Sequence, residues 1–235
     1  ELLDVLACEL GAAFEIGEHP FAIGPRLGHH LTALLLRMGD LGLCAVPFAE
    51  AYGGYGGSGV ENMLIMTELG RGLCLEPFLH SVIFAGGLVD QLGTAAQKDT
   101  LLPQIGSASL QLAVALDEPQ SHYQLHDVQT TAEAVSGGWK LNGRKSVIIG
   151  GQSAGLILVS ARTSHGVRDE QGITVFLVDP QDRGVGRRDF ATQDGRMACE
   201  LYLDDVFVKS SAVLGAVGRA LPALRRELMA HTAWR

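Results

Sequence analysis

The chain has 235 residues, of which 47% are hydrophobic and 19% are charged, and its formal net charge is −8. Such a composition supports a substantial buried core and excludes an intrinsically disordered chain. The length suits one large domain or two smaller ones. The negative charge argues against nucleic acid or an anionic membrane surface as the main partner.

The cysteines and the apolar runs indicate the compartment. The four cysteines (Cys8, Cys44, Cys74 and Cys199) are scattered and form no Cys-x-x-Cys pair. This favours reduced, buried thiols over a disulfide framework or a zinc site. No apolar run is long enough to span a bilayer, and the N-terminus lacks a basic segment followed by an apolar one. We therefore expect a soluble, cytoplasmic protein with no metal site.

Up to about residue 106 the apolar spacing is helical. Capping boxes at Ser58–Glu61 and Thr94–Gln97 each predict the start of a helix. Between these helices, residues 78–93 are apolar nearly all round, as is typical of a helix inside a bundle. One stripe of the segment 29–42 carries Leu31, Leu34, Leu35 and Met38.

From about residue 108 the apolar period becomes two, which predicts strands. The strand-like runs are SLQLAVAL, DVQTTAEAV, WKLNG, KSVII, GLILVSA, GITVFLVD and CELYLDDVFV. Residues 136–138 (SGG) and Asn142-Gly143 predict tight turns. Short strands at this spacing favour a small barrel or sandwich. After Gly215 the pattern is helical again, and we expect this last helix to open a further domain.

The stretch GQSAG (151–155) matches the Gly-x-Ser-x-Gly pattern of a serine-hydrolase nucleophile elbow. An elbow needs a strand before the serine and a helix after it, so that the hydroxyl projects from a strained turn. The segment after Ser153 reads as a strand, and no Asp…His order with a hydrolase layout follows. We therefore predict that Ser153 lies in a strand connection and is not a nucleophile.

Three other patterns favour structural roles. The glycine-rich segment 51–59 lacks both the preceding strand and the Gly-Lys-Ser/Thr ending of a phosphate-binding loop, so it predicts an inter-helix connection. His122 and His126 run from a turn into a strand, where a separation of four residues does not suit chelation. Asp117 and Glu118 are adjacent, so their side chains are expected to point in opposite directions.

An anionic ligand would need local cations or helix N-termini to neutralise it. The candidate cations are Arg144, Lys145, Arg162, Arg168, Arg187 and Arg188.

The order of segments is more specific than any one motif, and it resembles that of the acyl-CoA dehydrogenases from about residue 29 onward. The segments that carry the resemblance are GDLGL, AYGGYGG, MTELGR, LGTAAQKDTLLPQI, LDEP, GGWKLNGRKSVIIGG, GITVFLVD and CELYLDDVFV. Within that family, FAEAYGGYGG, QSHYQLHDVQTTA, GRKSVIIGGQSA, LVSART and RRDFATQDGRMA look most like the small subunit of the pimeloyl-CoA dehydrogenase type.

The resemblance implies an α+β architecture: a helical N-terminal domain (1–106), a β-barrel-like middle domain (107–213) and the beginning of a C-terminal helical domain (214–235). It also implies FAD between the middle and C-terminal domains, with contacts from a neighbouring subunit. The expected partners are an acyl-CoA substrate, a second subunit of the same chain or of a related one, and an electron-transfer flavoprotein as electron acceptor.

The resemblance further implies that a glutamate takes the Cα proton of the acyl thioester while a hydride leaves Cβ for the flavin. That base is expected in the C-terminal domain, so no residue of 1–235 is assigned a catalytic role.

Residues that match the family's flavin-contacting positions are Leu116 and Asp117 after the first strand, and Val147 and Ile149 in the segment KSVII. Where the family usually has threonine at the first of these places, and tryptophan and threonine in the second segment, this chain carries Asp117, Val147 and Ile149. Ser121 and Tyr123 match the segment that meets phosphates of the cofactor and of the thioester-CoA, although the family's glycines are missing there.

These departures leave three functions open. The chain is expected to belong to an FAD-dependent enzyme that oxidises an acyl-CoA to the 2,3-enoyl-CoA. Alternatively it is a catalytically silent partner subunit, since the lost side-chain contacts at Val147 and Ile149 weaken flavin binding. A third alternative is a flavin monooxygenase on the same fold.

Overall fold

The computed structural model describes residues 27–233, with side chains described for residues 34–229. Cys8 and the side chain of Leu31 lie outside these ranges. Leu35 and Met38 are buried, as the helical stripe predicts, and Cys44, Cys74 and Cys199 are free thiols. Burial raises the pKa of the Cys44 thiol to about 12, so this cysteine is a packing group.

The helical part runs from Leu27 to Gly106 and contains four α-helices. They are α1 (Leu27–Asp40), α2 (Gly59–Arg71), α3 (Gly87–Leu92) and α4 (Ala95–Gly106). Short 3-10 turns at Leu43–Ala45 and Glu50–Tyr52 connect α1 to α2. The glycine-rich segment 51–59 is therefore the inter-helix connection that its sequence predicts.

Both predicted capping boxes are present. At α2 the backbone N–H of Ser58 donates to Glu61 at 2.7 Å, and at α4 the backbone N–H of Thr94 donates to Gln97 at 2.9 Å. Each box satisfies backbone donors that a helix start otherwise leaves without a partner.

The apolar segment before α3 is a π-helix, Phe78–Gly86, in which nearly every residue is buried. The burial agrees with the sequence pattern, but the wider winding was not predicted. The hydroxyl of Ser81 accepts a hydrogen bond from the Leu112 backbone N–H at 2.9 Å, which fastens this segment to the first strand. π-Helical turns occur frequently at functional sites.

Eight strands follow, and they form one sheet in the order β6-β7-β3-β2-β4-β5-β8, with β1 paired in parallel to β4. The sheet is not closed, so the expectation of a barrel is corrected to an open sheet. The strands are β1 (Leu112–Ala115), β2 (Thr131–Val135), β3 (Gly138–Ile149), β4 (Leu156–Arg162), β5 (Ile173–Val178), β6 (Val185–Ala191), β7 (Met197–Lys209) and β8 (Val213–Leu214).

The turn predicted at Asn142-Gly143 is wrong. Both residues lie inside the continuous strand β3, at a shift of register against β7. The Asn142 side chain bonds to the bulge in β7, accepting from the Asp205 backbone N–H at 2.8 Å. A Cβ on Gly143 would lie 2.5 Å from the Thr130 hydroxyl. The glycine is therefore needed for the close approach of the segment around Thr130, and it does not form a turn. The turn around Gly137, by contrast, joins β2 to β3 as predicted.

The last helix, α5 (Leu221–Ala233), packs onto the helical part. Gln91 of α3 donates a hydrogen bond to Glu227 of α5 at 3.0 Å. Ala220, Leu221 and Leu224 share one core with the helices and with inward side chains of β4 and β5. No helix within the described part of the chain has the length and apolar character needed to cross a membrane.

Candidate functional site

A cavity of about 290 Å³ opens where the end of β1 meets the end of β3, and we call it the β1–β3 cavity. Five of the six residues that the sequence nominates for cofactor and substrate line it: Leu116, Asp117, Tyr123, Val147 and Ile149. The remaining lining residues are His80 and Phe84 of the π-helix, Val114, Leu125, and Leu228 of α5. The structure thus gathers residues from four separate parts of the chain at one place.

Val147 reaches the cavity because β3 is irregular there. The pairing of β3 with β7 shifts between Lys145 and Ile148, so Ser146 and Val147 have no register partner on β7. The Ser146 N–H instead donates to the carbonyl of Asp117 at 2.8 Å. Val147 has a φ of 53° and is 54% exposed. A β-branched residue rarely adopts this left-handed conformation, and such strain is concentrated at functional sites.

Tyr123 is another lining residue of this cavity. Its φ is 67°, its neighbour His122 also has a positive φ, and its side chain is 89% exposed. The positive φ values arise in a tight turn in which the Gln124 N–H donates to the Ser121 carbonyl at 2.8 Å. Tyr123 therefore presents an aromatic ring at the mouth of the cavity.

Ser121 is the one nominated residue that does not line the cavity. It is buried, and its hydroxyl donates to the carbonyl of Glu118 at 3.0 Å and accepts from the Glu118 N–H at 3.1 Å. The hydroxyl therefore closes the turn at residues 118–121. Asp117 and Glu118 point apart, as predicted, because Asp117 lines the cavity while Glu118 is buried behind it.

The expectation that Lys145 could neutralise an anionic ligand is wrong. Its side chain is fully buried, and its ammonium group donates to Glu118 at 2.7 Å, to the Ser160 hydroxyl at 2.9 Å and to the Leu116 carbonyl at 3.2 Å. Burial opposes charge on Glu118, but the charge and hydrogen bond of Lys145 hold the pKa of that carboxyl below its ordinary value. The pair ties the end of β1 to β3 directly behind the cavity.

Arg162 is likewise a structural cation. Its guanidinium group is buried and donates to four backbone carbonyls: His126 and Val167 at 2.7 Å each, Asp169 at 2.8 Å and Gln171 at 2.6 Å. These carbonyls belong to the turn that carries Tyr123 and to the loop between β4 and β5. Arg162 therefore positions one rim of the cavity.

The other four candidate cations are paired with carboxylates of the chain. Arg144 and Arg188 contact Glu200, Arg168 contacts Asp127, and Arg187 contacts Asp189. None of the six candidates lines the β1–β3 cavity. For Arg144, Arg168 and Arg188 the partner lies in another segment of the chain, which sequence reasoning could not see. Asp189, by contrast, is only two positions from Arg187 in β6.

The lining of the β1–β3 cavity suits the isoalloxazine ring of FAD better than its diphosphate. Apolar side chains at the irregular part of β3, where Val147 has no register partner on β7, suit a flat ring such as isoalloxazine. No lysine or arginine lines the described cavity, so its residues do not provide for the diphosphate. In the described part of the chain no group of three or more His, Cys, Asp or Glu side chains is placed to hold a metal ion.

Comparison with known proteins decides the family. The acyl-CoA dehydrogenase N-terminal domain matches residues 25–109, and the acyl-CoA dehydrogenase middle domain matches residues 113–206. The chain belongs to the acyl-CoA dehydrogenase family. Members of this family bind FAD and are flavoprotein oxidoreductases.

Individual relatives agree with this assignment. The chain is 29% identical to acyl-CoA dehydrogenase FadE12 of Mycobacterium tuberculosis over 85% of its own length and 52% of that protein. It is 31% identical to the mitochondrial isovaleryl-CoA dehydrogenase of Arabidopsis thaliana over 80% of its length and 47% of that protein. The chain thus spans about half the length of these relatives.

A solved structure shows the same fold. The ChsE4-ChsE5 complex of Mycobacterium tuberculosis contains a chain that superposes with a TM-score of 0.83 at 22% identity, over 97% of this chain and 59% of that one. The helical part followed by a sheet-rich part is therefore the acyl-CoA dehydrogenase arrangement.

Proposed function

We propose that this chain is part of an FAD-dependent acyl-CoA dehydrogenase that oxidises an acyl-CoA to the 2,3-enoyl-CoA. The observation that carries the proposal is the convergence of Leu116, Asp117, Val147 and Ile149, the residues that match the family's flavin-contacting positions, on one cavity. Family membership supports the reaction type. FAD, when bound, supplies the acceptor for the hydride from Cβ.

The chain's own residues contribute position and exclusion of water. Val147, Ile149 and Leu116 supply an apolar wall, and the buried Lys145–Glu118 pair holds that wall against β1. The exposed ring of Tyr123 also lines the cavity, and an aromatic ring there can stack on a flat ligand. The general base that takes the Cα proton is proposed to lie outside the residues described for this chain.

The test uses the complete natural protein that contains this chain, alone and mixed with a candidate partner subunit. We expect bound flavin absorbance and its bleaching on addition of an acyl-CoA thioester. A preparation with neither signal, alone or with its partner, would overturn the proposal. Product formation that requires oxygen and reduced flavin would favour a monooxygenase instead.

A second candidate is the catalytically silent subunit of a heteromeric acyl-CoA dehydrogenase, of the pimeloyl-CoA dehydrogenase type. It is favoured by Val147 and Ile149 in place of the family's aromatic and hydroxyl side chains, and by the absence of a lining cation in the described cavity. The solved ChsE4-ChsE5 complex, similar in fold, makes a two-chain assembly a reasonable comparison. One flavin per heterodimer supports this candidate, and one flavin per chain excludes it.

The acceptor of the electrons is proposed to be an electron-transfer flavoprotein. The measurement is bleaching of a purified acceptor flavoprotein by the acyl-CoA-reduced enzyme. Failure of transfer while the enzyme's own flavin is reduced would separate this claim from the dehydrogenase proposal.

A further inference from the structure

A second cavity, of about 450 Å³, lies beside the first, between α2 and the π-helix. We call it the α2 cavity. His80 lines both cavities, so its side chain stands where they adjoin. The apolar lining comes from Met63, Met66, Leu69 and Leu79, which are flexible or branched side chains suited to a hydrocarbon.

The polar lining of the α2 cavity consists of Thr67, Glu76, His80 and Arg196, beside the thiol of Cys74. The Oε2 atom of Glu76 is buried and has no hydrogen-bond partner among the described residues. A buried polar atom without a partner costs free energy, and a ligand that supplies a hydrogen bond recovers it. The carboxyl group of Glu76 is therefore where a ligand's polar group gains most.

Arg196 offers little attraction for an anion. Its guanidinium group donates to Asp194 through Nε at 2.7 Å, so its charge is already compensated. Its Nη1 lies 3.0 Å from His80 Nε2. Because arginine has only donors, the histidine nitrogen must accept, which makes His80 neutral in this arrangement. The polar lining thus combines one carboxyl group, one neutral imidazole and one already paired cation.

We propose that the α2 cavity binds the distal end of the acyl group, and that it selects an end carrying an uncharged hydroxyl over one carrying a carboxylate. The inference rests on the proposed function, because it assigns the substrate of that same site. A hydroxyl both donates and accepts, so it pairs with Glu76 in either protonation state. A carboxylate would face a second carboxyl group with no uncompensated cation among the described lining residues.

The experiment compares three thioesters of one chain length: decanoyl-CoA and its hydroxyl-terminated and carboxyl-terminated derivatives. Octanoyl and dodecanoyl series are included because the distance between the thioester and Glu76 sets which chain length places the end group beside that residue. Binding to the complete natural protein is measured by calorimetry and by perturbation of the flavin spectrum. We expect one hydroxyl-terminated thioester to bind up to roughly tenfold tighter than the plain thioester of the same length, since one net hydrogen bond contributes up to about that factor. The carboxyl-terminated one is expected to bind more weakly than the plain one.

Variants at Glu76 assign the effect to this cavity. Glu76→Leu is expected to abolish the hydroxyl preference, so that the hydroxyl-terminated thioester no longer binds more tightly than the plain thioester of the same length. Glu76→Gln keeps the shape and is expected to reduce the discrimination against the carboxylate, which tests the charge argument even if the leucine variant does not fold. Glu50→Gln, an exposed carboxyl in neither cavity, is the matched control and is expected to change nothing.

Equal binding of the three end groups at every length overturns the inference, as does tightest binding of a carboxylate or a hydroxyl preference that survives Glu76→Leu. In those cases acyl-CoA binding and flavin bleaching persist, and the proposed function stands. Absence of binding by every thioester, together with absence of bleaching, overturns the proposed function and the inference with it.

Discussion

Lys145 and Glu118 form an ion pair of 2.7 Å in which both side chains are almost completely shielded from solvent, at 0% and 2% exposure. The Glu118 carboxylate also accepts from the backbone N–H groups of Gln129 and Thr130 at 2.8 and 3.1 Å. One carboxylate therefore connects the end of β1, the approach to β2 and the middle of β3. Of these elements, β1 and β3 supply lining residues of the β1–β3 cavity.

Breaking this pair is expected to be costly. Lys145→Met leaves an uncompensated carboxylate in the interior, and the loss of one partner of a buried pair costs roughly 3–5 kcal/mol. We expect the free energy of unfolding, from urea denaturation, to fall by that amount. Adding Glu118→Gln to the same chain should restore part of the loss, because the charge without a partner is then gone. A double variant no more stable than Lys145→Met would contradict this account.

The same carboxylate gives stability a dependence on pH. The folded-state pKa of Glu118 is below its ordinary value of 4.5, so the unfolded chain binds the proton first as the pH falls. The contribution is fully present above pH 4.5 and is lost as the pH falls through the folded-state pKa. The difference in urea midpoint between wild type and Glu118→Gln should therefore be smaller below pH 4.5 than at neutral pH. Parallel pH profiles of the two proteins would show that this carboxylate is not responsible.

Arg162→Lys is expected to loosen the rim of the cavity. Lysine keeps the charge but lacks the planar fork that reaches four carbonyls. Losing two or three of these bonds should lower the free energy of unfolding by about 2–4 kcal/mol. Faster proteolytic cleavage between residues 122 and 171 would locate the effect. Arg168→Lys is the matched control, since that side chain is 77% exposed and makes one ion pair, and its stability should change by less than about 1 kcal/mol.

Val147 is expected to limit stability. Glycine at this position would relieve a left-handed conformation that costs a side-chain-bearing residue about 1–2 kcal/mol, while adding about 0.5–1 kcal/mol of chain entropy. Val147→Gly should therefore raise the free energy of unfolding by several tenths of a kcal/mol. Val167→Gly, at a valine of similar exposure with a negative φ, should lower it. Equal losses in both variants would show that the backbone of Val147 is not strained.

Val147→Trp tests whether a flavin ring packs against this residue. If a flavin ring lies against this wall, a planar side chain adds about 0.5–1.5 kcal/mol, which tightens FAD binding between twofold and tenfold. Fluorescence titration of the complete natural protein measures this change. Val167→Trp, which lies outside the β1–β3 cavity, serves as the control. An unchanged dissociation constant for Val147→Trp would place the ring elsewhere.

Local chemistry explains what could be predicted from the sequence. The starts of α2 and α4 were predictable because Ser58 and Thr94 complete their capping boxes within three residues. β6 was not predicted, because it is an edge strand whose middle, Arg187 to Asp189, is charged and largely exposed. Edge strands commonly carry such charges, and they hide the period of two.

In the candidate site, too, some features were predicted from the sequence and others were not. Leu116, Asp117, Val147 and Ile149 were found through a family resemblance, which carries long-range information that periodicity lacks. Lys145 was misinterpreted as a ligand for an anion, since its partner Glu118 is 27 positions away and nothing local reveals it. The turn expected at Asn142-Gly143 failed for a related reason. The demand for glycine there comes from Thr130 on a neighbouring segment.

The two register shifts of β3 against β7 also determine which mutations the gene can tolerate in this stretch. Side chains alternate between faces along a strand, so losing or gaining one codon between Gly143 and Ile148 would exchange the faces of the residues beyond it. The ammonium group of Lys145 would then leave its carboxylate, and Val147 would turn inward. Substitutions in this stretch are therefore expected to be tolerated far more often than insertions or deletions, and tags or reporter inserts belong elsewhere in the chain.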